Sequence, residues 1–259
     1  MKKKKFTRII SKIIYKDGYT VQSYNYSDYI KLGSLEKTIK YLNDWETDEI
    51  IFINLSSEKN FKNIQNGLKN NFIPITYGGQ VSKIDTYKWA INNGFEKVSF
   101  NSLAYDGHFD LIEKCSSIGG VQSIVLCLDI INNKNKYLLF NYKNKNTKYI
   151  DIEDLTFLSK KNLFSEILIN IINQDGKTKG INNFRFFKQL QKNIDIPVLA
   201  SCGLFTKEQY IDFLANTNCI PVLGNILMHY ENPIASIRHI LAEKGYTNRI
   251  HYDFKGTSR

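Results

Sequence analysis

Eight short apolar, β-branched runs punctuate the chain, and an amphipathic stretch follows most of them. The runs are Arg8–Ile14, Glu49–Asn54, Ile73–Gly78, Lys97–Asn101, Ser123–Asp129, Glu166–Ile171, Ile196–Ser201 and Ile220–Gly224. Stretches such as SLEKTIKYLNDW, FKNIQNGLKNN, KIDTYKWAINNG and KEQYIDFLANT separate them. Strands that alternate with helices build a parallel sheet covered on both faces. Eight such units in 259 residues close most naturally into one (β/α)8 barrel, a single domain over 1–259.

The two halves echo each other. Pro197 in IPVLASCGL stands as far behind Pro74 in IPITYGGQ as Gly224–Asn225 stands behind Asn101–Ser102. A constant offset of this kind suggests a duplicated half-barrel. Two excursions break the rhythm. KDGYTVQSYNYSDYIKLG, after the first strand, reads as a turn, a short strand and a long loop; NNKNKYLLFNYKNKNTKYIDIE, after the fifth, reads as a hairpin. Both would project from the C-terminal face, where barrel active sites lie.

Composition narrows the partners. The net charge is +10, but the lysines are scattered among Asn and Ile and form no stripe. No nucleic-acid partner is expected, and the aromatic residues form no stacking platform for bases. An anionic, phosphorylated small molecule suits the charge better. No apolar run reaches the ~18 residues of a membrane span, so no membrane partner is expected. Lys12 interrupts the apolar start and no small-residue cleavage site follows. Lys2 to Lys5 therefore reads as a solvated lead-in, and the expected location is cytoplasmic. Cys115, Cys127, Cys202 and Cys219 form no CxxC pair and read as buried thiols; neither a metal nor a cofactor is expected.

Glycines just past strand ends leave backbone N–H groups open to a ligand. Gly176, Gly203 and Gly224–Asn225 follow strands six, seven and eight, the usual phosphate cradle of such barrels. A second cradle would use Gly78–Gly79 with Asn101 and Ser102, after strands three and four. Two facing cradles suit a long substrate with a phosphate at each end. Asp129 ends the run SIVLCLD and can serve as a general acid or base. Asp175, in INQDGKTKG, either joins it in catalysis or shapes a D-G turn. His229 reads as packed under the last helix, and His108, His239 and His251 show no nucleophile-and-base arrangement.

Taken together, RII followed by KDG, then DEIIFIN, IPITYGG, EKVSFNS, VLCLD, QDGKTKG and IPVLASCG resemble the imidazole glycerol phosphate synthase cyclase subunit (HisF) family in order and spacing. The resemblance covers nearly the whole chain. It implies a barrel that cyclises a bis-phosphate ribulosyl substrate with ammonia from a glutaminase docked at the barrel's bottom. It implies two catalytic aspartates, at the ends of strands one and five. Asp129 holds the strand-five position, but Ile14 stands at the strand-one position. An isoleucine carries no proton, and each acid–base group contributes ~10²–10⁴-fold. Gln22 replaces the family's strand-one lysine, Asn54 its strand-two aspartate and Gln80 its third strand-three glycine. The resemblance also implies an ammonia gate of four charged residues at the strand starts. Arg8, Glu49, Lys97 and Glu166 match it in type, with Glu96 offering a further carboxylate on that face.

A retained gate with a broken acid–base pair resembles the WbuZ, acetamidino-modification branch of the family, as does Asn170 in strand six. That branch implies a glutaminase partner and a sugar amidotransferase acting on a bacterial surface sugar. Two other readings stand beside it: a true cyclase of histidine biosynthesis, and a non-catalytic activator of a glutaminase.

Overall fold

In the computed structural model, which describes residues 5–56, 61–101, 105–134, 136–142, 144–181 and 183–247, the eight runs become eight parallel strands. They are β1 (Ile10–Lys16), β2 (Glu49–Asn54), β3 (Ile75–Gly78), β4 (Lys97–Phe100), β5 (Ile124–Asn133), β6 (Glu166–Ile171), β7 (Val198–Ser201) and β8 (Ile220–Leu223). Each pairs with the next, and β8 pairs with β1, so the sheet closes on itself. Among the described residues a helix follows each strand: α1 (Leu35–Asp44), α2 (Phe61–Leu68), α3 (Ile84–Asn92), α4 (Asp110–Gly119), α5 (Ile152–Ser159), α6 (Arg185–Asn193), α7 (Lys207–Thr217) and α8 (Pro233–Glu243). This is the expected (β/α)8 barrel.

The helix starts are written in the sequence. Ser34 caps α1 by accepting from Lys37 N, and Asp151 with Asp154 and Thr206 with Gln209 form capping boxes for α5 and α7. Pro233 sits in the first turn of α8, where its missing N–H is harmless. The half-barrel echo has a structural counterpart. The carbonyl of Pro74 accepts from Ile50 N at 2.9 Å, and that of Pro197 accepts from Ile167 N at 3.1 Å. Each bond pins a strand start directly beside Glu49 or Glu166.

Strand alternation sorts the side chains into two cores. Residues such as Ile9, Ile13, Phe52 and Ile167 pack outward against the helices. Ile10, Ile51, Val125, Cys127, Leu168, Leu199 and Val222 form a separate apolar cluster in the lumen. On β1 the inward set is therefore Ile10, Lys12 and Ile14, with Arg8 below. The four cysteines are buried free thiols, and burial pushes the Cys115 pKa to about 11 and that of Cys219 to about 12. Among the described residues no helix is long and apolar enough to cross a membrane.

Both excursions leave from the C-terminal face, and one differs from its sequence reading. After β1 the chain forms a hairpin of two strands, Tyr19–Tyr24 and Asp28–Gly33, rather than one strand and a loop. Asn25 and Tyr26 both take φ 53 in its tight turn, closed by Ser27 N donating to Tyr24 O at 3.0 Å. Such a φ suits asparagine but is unusual for tyrosine. The excursion after β5 is a hairpin as expected: Lys136–Phe140 pairs antiparallel with the extended end of β5 and with Thr147–Tyr149.

Candidate functional site

At the N-terminal end of the strands the four gate candidates meet. Arg8 Nη1 donates to Glu49 Oε2 at 2.6 Å and Nη2 to Glu166 Oε1 at 2.7 Å. Lys97 Nζ donates to Glu166 Oε2 at 2.9 Å and to Glu49 Oε1 at 3.3 Å. Each charge thus touches two of opposite sign, and the four close a ring. Thr76 Oγ1 donates a further bond to Glu49 Oε1 at 3.2 Å. Burial pushes the Glu166 carboxyl up, but Arg8 and Lys97 outweigh it and hold it below the usual carboxylate range. Burial also opposes the Arg8 charge, and Glu49 and Glu166 more than offset it. Mutual pairing is what makes two buried carboxylates and two half-buried cations tolerable in a strand mouth.

The lumen cluster lies between this ring and the C-terminal mouth. At the mouth stands Asp129, buried on β5. Its Oδ1 accepts from Asn170 Nδ2 at 2.7 Å and its Oδ2 from Asn101 Nδ2 at 2.6 Å. Burial raises its pKa despite those two amides and the Lys12 charge. A buried carboxyl with a raised pKa keeps its proton to higher pH than an exposed one, which makes it a candidate acid–base group. Asp175 is also buried; its Oδ1 is 3.4 Å from Lys12 Nζ, while its Oδ2 has no hydrogen-bond donor among the described residues.

The sequence reading missed Lys12 and Tyr26. Lys12 is only 6% exposed. Its Nζ donates to Tyr26 Oη and to Ser201 Oγ, both at 2.8 Å, and lies 4.9 Å from the Tyr26 ring centroid. Tyr26 Oη in turn donates to Asn170 Oδ1 at 3.2 Å. The unusual backbone of Tyr26 turns its ring from the hairpin tip back into the mouth. Lys12 was read only as a break in an apolar run, although its two-residue spacing from Ile10 and Ile14 marks it as inward-facing. Ile14 is buried with Val21, Tyr26 and Ile172.

The residues named for the second cradle come together in space. Gly176, Gly203, Gly224 and Asn225 line one small cavity together with Lys12, Asp175 and Lys177. Gly203 has φ +74, and a Cβ there would stand 2.3 Å from Gln174 O. The backbone can approach so closely only because no side chain is present. Asn225 Nδ2 donates to Ser23 O at 3.1 Å and so ties the β1 hairpin to the cradle.

The first cradle has a different character. Gly79 has φ +104, and a Cβ there would stand 2.0 Å from Asn54 O. It shares a cavity of about 620 Å³ with Asn54, Gln80, Asn101, Asp129 and Asn170. The Gln80 side chain bonds to Ser56 O, and the Asn101 amide is turned to Asp129. Ser102 lies outside the described residues, as does His251. His229 is not packed under the last helix: it is exposed, with Nε2 3.0 Å from Gln22 Nε2 and its ring 4.9 Å from that of Phe205.

Residues 8–232 match the family described as "Histidine biosynthesis protein". The chain belongs to this family. Among its relatives is the "Putative imidazole glycerol phosphate synthase subunit hisF2" of Vibrio vulnificus, 27% identical over 256 residues, covering 95% of this chain and 93% of the relative. A protein of the same description from Campylobacter jejuni is 25% identical over 249 residues, covering 94% and 98%. The "Imidazole glycerol phosphate synthase subunit HisF" of Pelodictyon phaeoclathratiforme is 26% identical over 249 residues, with the same coverage. The chain is thus a HisF-like barrel subunit of the histidine biosynthesis protein family, with an ionic ring at one end and a Lys–Asp–Asn cluster at the other.

Proposed function

We propose that this HisF-like barrel docks a glutaminase over the Arg8–Glu49–Lys97–Glu166 ring, takes ammonia through the ring, and delivers it to a phosphorylated substrate at the opposite mouth. The closed ring carries this reading. Four alternating charges at the strand starts form a mouth that can open by exchanging partners without leaving a charge bare. The surface around it fits a protein partner. Phe6, Phe72, Ile118 and Val121 are exposed on segments leading into β1, β3 and β5, the same end as the ring. Exposed apolar residues gathered at one end favour association.

At the mouth, Gly176, Gly203 and Gly224–Asn225 would hold a phosphate, and Asp129 would move the proton. Asp175 Oδ2, lacking a donor among the described residues, is placed to accept from a substrate hydroxyl or amine. Gly79 and Asn101 would face the far end of a long substrate. Ile14 supplies no second proton carrier. We therefore place the chain with the acetamidino-modification, WbuZ-type branch, in the cytoplasm, passing ammonia to a sugar amidotransferase that acts on a bacterial surface sugar.

Cyclisation of the bis-phosphate ribulosyl substrate, assayed with purified protein and ammonium salt, tests this. The expected rate lies ~10²–10⁴-fold below that of a barrel with two catalytic aspartates. Robust turnover would instead establish a true cyclase, a reading that the buried, raised-pKa Asp129 beside Asp175 also favours. Stimulated glutamine cleavage with no nitrogen transfer to any acceptor would reduce the chain to a glutaminase activator.

A further inference from the structure

A cavity of about 400 Å³ lies behind the β1 hairpin, between it, α1 and the segment after β8. It is separate from the large cavity under Asp129 but shares Lys12, Gly224 and Asn225 with the phosphate cradle. Its walls are mostly apolar: Val21 and Leu32 from the hairpin, Tyr41 and Trp45 from α1 and its end, and Leu227 and Met228 from the segment after β8. Ile14 lines it as well, so the side chain that removes an acid from the mouth is part of this apolar wall. A Cβ added at Gly224 would meet Lys12 Cε at 3.6 Å, and Lys12, Gly224 and Asn225 line both the cradle and the cavity. Lys37 brings a positive charge to the lining.

We propose that this cavity is a subsite for the apolar or aromatic portion of a phosphate ester whose phosphate sits in the Gly176, Gly203 and Gly224–Asn225 cradle. The inference rests on the phosphate-binding reading above and adds a class of ligand to it. The cradle fixes the anionic end beside Lys12, and the cavity offers room for a ring about the size of naphthalene or a purine. A ligand entering this side passes Gly224 and turns away from Asp129. The amphiphilic ester is therefore recognised at two points, a polar one that orients and an apolar one that selects.

Calorimetric titration of the purified protein with inorganic phosphate, glycerol 3-phosphate and 1-naphthyl phosphate tests the proposal. The naphthyl ester should bind at least about tenfold more tightly than the other two, because it removes a ring from water. Thr38→Trp, which fills the cavity from α1, should erase that gain and leave phosphate affinity unchanged. Leu32→Glu, at an exposed rim position, should do the same without altering α1. Equal affinity of the three ligands for the wild-type protein would overturn the subsite while leaving the cradle in place. A naphthyl gain that survives both substitutions would also overturn it, placing the ring elsewhere. Failure of all three ligands to bind would overturn the cradle and the subsite together.

Discussion

The ring at the bottom of the barrel and the polar cluster at its mouth are both built from buried charges, yet they balance differently. In the ring two cations meet two anions, and every charge has two partners. At the mouth Lys12 alone is buried against Asp175, Asp129 leans on two amides, and Asp175 Oδ2 lacks a donor among the described residues. A balanced set holds its shape without help. A set with acceptor capacity left over gains from a ligand that fills it. The contrast is what the proposed roles, an inlet at the ring and a binding centre at the mouth, require.

Breaking the ring should give the largest effect. Glu166→Ala leaves Arg8 and Lys97 facing a single carboxylate, and removal of one partner from such a network costs about 3 kcal/mol or more, measured by urea unfolding. Because the Glu166 pKa is held down in the folded state, its contribution is present above the ordinary carboxylate range. It is lost as pH falls through that range to the lowered value. Lys12→Met should cost somewhat less, about 2 kcal/mol, by stranding the Asp175 carboxylate. Adding Asp175→Asn should restore most of that loss, and no recovery would show that the two do not act as a pair. A comparable effect, about 1–3 kcal/mol, is expected at Gly203→Ala from the strained φ and the clash with Gln174 O, with loss of phosphate binding. Gly94→Ala is its control: φ is +87 but the space is open, so only about 1 kcal/mol should be lost. The mildest change is at Asp129. Its pKa is raised, so the carboxyl favours folding below its unfolded pKa and loses that advantage as pH rises through the folded one. Measured relative to Asp129→Asn, wild-type stability should therefore be highest in acid and fall as pH rises. Acid thus weakens the ring and relaxes the mouth, and equal pH profiles at the two ends would break the contrast.

The ring was far more legible in the sequence than the mouth. Glu49–Asn54 and Glu166–Ile171 are strands with those same ends, and Arg8, Glu49, Lys97 and Glu166 sit where their strand starts placed them. The family resemblance marked these four positions, and the strand period turns their side chains inward. The mouth depends on long-range contacts that no local pattern announces. Tyr26 reaches Lys12 and Asn170 only because the hairpin turn folds back, and β5 continues past Asp129 to Asn133 only because Lys136–Phe140 pairs with it. His229 was misplaced for the same reason: its position depends on Gln22, which arrives from the distant hairpin.

Whether the ring serves as an inlet is tested most directly by supplying a glutaminase with amide-labelled glutamine and following the label. With wild-type protein, glutamine cleavage should rise and the label should pass to the acceptor bound at the mouth. With Lys97→Ala, cleavage should persist while the label escapes to bulk solvent. Wild-type protein that neither stimulates cleavage nor changes the fate of the label would contradict the account.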